Sequence, residues 1–215
     1  MANTCLQLTG FMISFLGWIG LIIATATNDW VVTCKYGMNT CKKMDELGAK
    51  GLWADCVIST ALYHCISLNQ ILDLPAYVQT SRALMITASI LGLPAVALVL
   101  MSMPCINLGN EPESVKNKRS VLGGILILII ALCGVVSTVW FPIGAHHEQG
   151  LMSFGFSLYT GWVGTAFCLL GGSMITCCSV ESSTPYTDNN RFYYSKQAPT
   201  NPGPPSSNHA KSAHV

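Results

Sequence analysis

Charge is what this chain has least of. Its 215 residues include 11 Lys and Arg and 10 Asp and Glu, a charged share of 10% against roughly 25% in a soluble domain. A net charge of +1 provides no basic field, so nucleic acid is excluded as a partner. No nucleophile elbow, phosphate-cradling glycine loop or zinc-protease motif occurs, which excludes the common enzyme classes. No Asn-x-Ser/Thr sequon occurs either. Residues 142–157 hold no Lys, Arg or Cys. Neither a metal nor a cofactor is expected.

The missing charge is concentrated. Residues 6–26, 83–104, 121–141 and 158–178 contain no Asp, Glu, Lys or Arg. Each run is about 21 residues, which at 1.5 Å per residue reaches roughly 30 Å, the thickness of a bilayer core. Helices packed in soluble cores rarely stay apolar all round for that length. The first run ends in Ala24-Thr25-Ala26, which looks like a signal cleavage site, but Met1–Leu8 lacks the basic residue such a signal needs. Four transmembrane helices follow, expected as a left-handed bundle. Gly10, Gly17 and Gly20 in the first span, with Gly161, Gly164, Gly171 and Gly172 in the fourth, suit close helix contacts. Pro94 is tolerable inside the second.

Lys116, Lys118 and Arg119 mark residues 105–120 as the cytoplasmic loop, together with an N-terminus of residues 1–5 and a tail of 179–215. Residues 27–82 and 142–157 are then the extracellular loops. The tail is rich in Ser, Thr, Asn and Pro and reads as disordered.

The first loop holds Cys34, Cys41, Cys56 and Cys65 on an oxidising face, so disulfides are expected. Of three possible pairings, Cys34–Cys41 with Cys56–Cys65 is favoured. The turn residues Tyr36–Asn39 would close a hairpin that brings Cys34 opposite Cys41. Trp30–Cys34 and Met44–Val57 read as strands of a small extracellular antiparallel sheet drawn from the two outer loops, with Trp30 and Trp53 as its apolar base at the membrane interface. A short helix over about Ser67–Thr80, interrupted at Pro75, is expected to lead to Arg82. Cys105, Cys177 and Cys178 sit where S-palmitoylation is common, whereas Cys5, Cys133 and Cys168 read as packing residues. His146 and His147 are neighbours in a segment expected to be extended. Their side chains would point to opposite faces, which suits an exposed loop and not a shared metal ion.

Trp30, the Gly51-Leu52-Trp53 triplet, Cys56, Cys65 and Arg82 together resemble the first-loop signature of the claudins. The resemblance covers residues 1 to about 180. "TNDWVVTC", "LGAKGLWADC", "NNRFYY" and "HAKSAHV" are most similar to the oligodendrocyte branch of that family, the branch of myelin. It implies a structural cell–cell adhesion protein of the plasma membrane that binds itself in cis and trans, and other claudins, polymerising into tight-junction strands that control paracellular permeability. It also implies that Trp30, Leu52 and Trp53 anchor the sheet and that Cys56–Cys65 is the family disulfide. Ile71, or else Leu68, would insert into a neighbour beside Phe154, Phe156 and Tyr159. The terminal Ser212-Ala213-His214-Val215 offers a free carboxylate and a valine to a PDZ groove, implying scaffolds of the zonula-occludens type. Membrane lipids complete the partners.

Ile66 and Ser67 follow Cys65 where ion-selective relatives often carry a charge, and residues 27–82 balance five acidic against five basic side chains. Asp55 reads as a solvated strand-end carboxylate, so the expectation leans to a barrier. The alternative is an auxiliary or regulatory tetraspan subunit of another membrane protein, peripheral-myelin-type or calcium-channel-gamma-like. The absent sequon and the valine terminus favour the claudin reading.

Overall fold

The computed structural model describes residues 2–34, 47–59, 62–70, 73–103, 112–149 and 151–181. Tyr36–Asn39, Cys41, Ile71, Cys105 and the tail from residue 182, with Ser212–Val215, lie outside the described residues. Four helices carry the apolar runs: α1 (Ala2–Ala26), α2 (Ala76–Ser102), α3 (Glu113–Gln149) and α4 (Phe156–Glu181). Each is long and apolar enough to cross a membrane. Five short strands, β1 (Val31–Thr33), β2 (Leu47–Lys50), β3 (Ala54–Ser59), β4 (Leu62–Ser67) and β5 (Met152–Phe154), form one antiparallel sheet ordered β4-β3-β2-β1-β5.

In the bundle, α1 packs along α4, α4 along α3, and α3 along α2, while α1 also touches α2. The α1–α4 seam is closed by glycine. A Cβ on Gly17 would stand 2.6 Å from the Gly164 carbonyl oxygen, and one on Gly164 would stand 2.7 Å from that of Gly17. Only hydrogen fits there, and the gain is dispersion between backbones where lipid offers no hydrophobic drive. Polar glue supplements it. Ser81 and Ser137 hydroxyls donate to each other's backbone carbonyls at 3.4 and 3.2 Å, joining α2 to α3. At the end away from the sheet, Gln7 donates to Ser120 at 2.8 Å and Ser179 to Ser120 at 2.6 Å, joining α1, α3 and α4.

Three element boundaries differ from the sequence expectation. Among the described residues no separate helix spans Ser67–Thr80: Ser67 ends strand β4, and Pro75 precedes the first turn of α2, whose helix already includes Tyr77 to Arg82. Proline has the fixed φ for a helix start and needs no amide partner there. The first half of the segment 142–157 is helical, because α3 continues through Pro142 to Gln149 with Phe141 and Ala145 buried around it. His146 and His147 therefore lie in the last turn of a helix, both exposed, and not in an extended loop. Within the 105–120 segment, Glu113–Ser120 is likewise already helical, as the start of α3. Cys5 is exposed and does not pack, whereas Cys133 is half-buried and Cys168 buried.

Candidate functional site

All five strands gather at one end of the bundle, and what fixes them there is a set of polar contacts to helix ends. An α-helix leaves its last carbonyls without intrahelical partners. At the end of α1 two indoles supply donors. Trp30 Nε1–H donates to the Ala24 carbonyl at 2.9 Å and Trp53 Nε1–H to that of Thr25 at 2.6 Å. Trp30 is fully buried, 5.0 Å from Phe141 between ring centroids, so it is a core residue and does not lie at a lipid interface. Trp53, 36% exposed, is the half of the pair that stays at the surface.

The Gly51-Leu52-Trp53 turn is held from three sides. A Cβ at Gly51 would meet Asn28 Cα at 2.3 Å, so only glycine lets the turn cross that backbone. The Trp53 amide donates to Asn28 Oδ1 at 3.1 Å. Arg82, from the second turn of α2, places Nε 3.0 Å from the Leu52 carbonyl, with Nη2 donating to the same oxygen. Both terminal nitrogens also reach the Leu68 carbonyl, at 3.4 and 3.5 Å, and the guanidinium lies 4.7 Å from the Trp53 ring centroid. A planar fork with several donors serves this geometry as no lysine could.

Asp29 ties the first connection to α4. Its carboxylate accepts from the Phe156 amide at 3.3 Å and its carbonyl from the Ser157 amide at 2.9 Å, while Gly155 N–H donates to Trp30 O at 2.9 Å. An acidic cap at a helix N-terminus also meets the positive end of the dipole. Lys50, on β2, is 8% exposed, and its ammonium is 3.1 Å from Glu148 Oε2 on α3. The Tyr77 hydroxyl donates to the same oxygen at 2.7 Å. Burial alone would lower the Lys50 pKa, but Tyr77 and Glu148 outweigh it and hold the ammonium above its ordinary value. Asn28, Asp29, Lys50, Tyr77 and Glu148 carried no sequence signal, because their partners are far away in the chain.

Cys56 and Cys65 are directly opposed in the β3–β4 register and joined by a disulfide. Cys34 is also disulfide-bonded, while Cys41 lies outside the described residues. Among the described residues β4 pairs only with β3, and all six of its residues are exposed, Tyr63 at 71%. At the other edge of the sheet Phe154 on β5 meets Tyr159 and Trp162 of α4, with Trp162 at 5.3 Å from Phe154 and 5.6 Å from Tyr159. Phe156, the first residue of α4, is 64% exposed. Leu68 is half-buried beyond β4.

The sequence matches the family described as PMP-22/EMP/MP20/Claudin over residues 4–175. Over its full length it is 56% identical to Claudin-11 of Mus musculus and 55% identical to Claudin-11 of Homo sapiens, each covered completely. It is 36% identical to Claudin-1 of Mus musculus over 202 residues, 86% of this chain and 92% of that one. The chain belongs to the claudin family. As a claudin it is a multi-pass membrane protein of tight junctions, and the anchors described above are how its loop signature is built into three dimensions. The cysteines at the far end of the claudin bundle divide: Cys177 is exposed, whereas Cys178 is buried.

Proposed function

We propose that this claudin polymerises side by side into tight-junction strands, in cis within one membrane and in trans across two, and that the strands act chiefly as a paracellular barrier. In this reading the sheet is extracellular and both termini are cytoplasmic. The observation that carries it is the asymmetry of the sheet's two edges. One edge is the exposed strand β4, with Leu62, Tyr63 and Ile66 in the open and an outer row of backbone groups that pair with no strand among the described residues. The other edge is the aromatic rim of Phe154, Phe156 and Tyr159. Monomeric proteins rarely leave such an edge and such a patch uncovered. Two different surfaces at opposite edges favour a head-to-tail contact, which extends into an open polymer instead of closing as a dimer.

Ile71, or else Leu68, would insert against the neighbour's aromatic rim. The barrier lean rests on sequestered charge: Lys50 is buried against Glu148, Arg82 is bound to Leu52 and Leu68, and Ile66 follows Cys65. Inside the cell the Ser212–Val215 terminus would bind zonula-occludens PDZ scaffolds, and Cys105, Cys177 and Cys178 are the acylation candidates, Cys177 the most accessible of the described pair.

Freeze-fracture imaging of junction-free cells expressing the chain tests the polymer directly, with resistance and dilution potentials on epithelial layers. Continuous strands at cell contacts, lost in Cys56→Ser and weakened in Ile71→Ala, are expected, with raised resistance and no ion preference. Surface-delivered protein that never forms strands would overturn the reading and leave the auxiliary-subunit role, to be pursued by identifying what co-purifies.

A further inference from the structure

We propose that Lys50, Tyr77 and Glu148 form a latch that fixes how the sheet sits on the bundle, and that strand assembly needs the latch closed. The second half rests on the strand reading above. The three residues come from β2, the first turn of α2 and the last turn of α3, with Lys50 and Glu148 98 positions apart in the chain and Tyr77 and Glu148 71 apart. Their meeting is thus a property of the folded arrangement and of nothing local.

The geometry is that of a built site. The Tyr77 ring packs where a Cβ on Gly144 would stand, 2.3 Å from its Cγ, and meets Phe141 edge-on at 5.5 Å. This fixes the phenol so that its hydroxyl reaches Glu148. The Lys50 ammonium lies 5.5 Å from the same ring's centroid. Asp55 stands opposite Lys50 in the β2–β3 register, yet the ammonium pairs with Glu148 across the gap to α3. Val31, the register partner of Lys50 on β1, is fully buried, so this row of the sheet faces the bundle.

Once its carboxylate is gone a buried ammonium is costly in low dielectric, and it is relieved by losing its proton or by reaching water. In the latch reading, loss of Glu148 brings water to Lys50 as β2 lifts from α3. Glu148 is 42% exposed on its side chain and already touches water, making it the member of the latch that can let go. The other anchors hold the sheet to α1, α2 and α4, so opening the latch tilts the sheet without detaching it. A tilted sheet presents its two edges at different heights, and copies in a row no longer match.

The test uses intact cells expressing the full chain and a membrane-impermeant amine-acylating reagent, with the modification of Lys50 quantified by mass spectrometry. Lys50, 8% exposed, is expected to be poorly labelled in the wild type and several-fold more in Glu148→Gln. Equal labelling in the two proteins would overturn the latch. In parallel, strands are imaged. Glu148→Gln should reach the surface yet form broken strands or none, and the exchange Lys50→Glu with Glu148→Lys should restore them. Raised labelling with unchanged strands would overturn the assembly half. Should Glu148→Gln fail to reach the surface, the exchange decides: restored delivery and strands support the latch, and no restoration overturns it. If the wild type itself forms no strands, the polymer reading falls, and the labelling ratio still decides whether the latch exists.

Discussion

Arg82→Ala is the sharpest test of how the loop signature is held. The guanidinium donates to the Leu52 carbonyl, from the face of a fully buried residue, and to the Leu68 carbonyl. Leaving a buried carbonyl without its charged donor costs about 1–3 kcal/mol. Losing the stack over Trp53, at 4.7 Å, adds about 0.5–1 kcal/mol. Together about 3 kcal/mol acts on one turn, and at roughly 1.4 kcal/mol per tenfold the turn should open about 100-fold more often. Hydrogen exchange reads this directly. The Gly51, Trp53 and Leu68 amides donate to Ala54 O, Asn28 Oδ1 and Trp53 O respectively, so all three report the turn. In detergent-solubilised protein they should exchange about 100-fold faster in Arg82→Ala, while amides along the α1–α4 seam keep their rates. Arg82→Lys keeps the charge and loses the fork, and should fall between. Unchanged exchange at the three amides would refute the clamp. Uniform acceleration across the bundle would refute its locality.

Gly164→Ala forces a methyl against the Gly17 backbone at 2.7 Å and should cost about 1–3 kcal/mol, read as a lower midpoint in thermal or detergent unfolding. Asp29→Ala removes the side-chain acceptor at the start of α4 and should cost about 1 kcal/mol, with faster exchange at the Phe156 amide. Tyr63→Lys with Ile66→Lys changes only exposed side chains, so the unfolding midpoint should move by less than about 0.5 kcal/mol while strands disappear. Because Lys50 has a raised pKa in the folded protein, its pair stabilises fully below the unfolded value and loses that stabilisation as pH rises through the folded one. The stability difference between wild type and Lys50→Met should be flat through neutral pH and shrink only in strong alkali.

The bundle was legible because a membrane imposes one simple rule, and the four charge-free runs fall within α1 to α4, save the last two residues of the second, where α2 stops at Ser102. Where boundaries slipped, charge had been taken as the end of a helix. Arg82 lies inside α2 because its guanidinium has carbonyls to reach, and Lys116 to Arg119 lie inside α3 beyond its apolar run. Pro75 and Pro142 are one residue type with opposite consequences: the first opens a helix and the second is passed through. Strand β4 was missed because alternation is the signal for a strand with one buried face, and all six of its residues are exposed.

The anchoring residues explain the deeper limit. Trp30, Gly51, Leu52, Trp53 and Arg82 were visible as a motif, yet the motif does not say what they touch. Each meets a partner that is ordinary in sequence: the carbonyls of Ala24, Thr25 and Leu52, and the backbone of Asn28. Backbone partners leave no trace in composition, since every residue has a carbonyl. Lys50 and Glu148 are the converse case, two ordinary surface-type residues whose pairing is visible only once α3 is known to run on to Gln149. Had α3 ended with its apolar run at Phe141, the carboxylate would have no fixed place. The extra turns of α3 above that run are therefore what makes a buried lysine possible on β2. Shortening or breaking them, as by Ala145→Pro, should release Lys50 to the same amine reagent as Glu148→Gln does, without touching either charge.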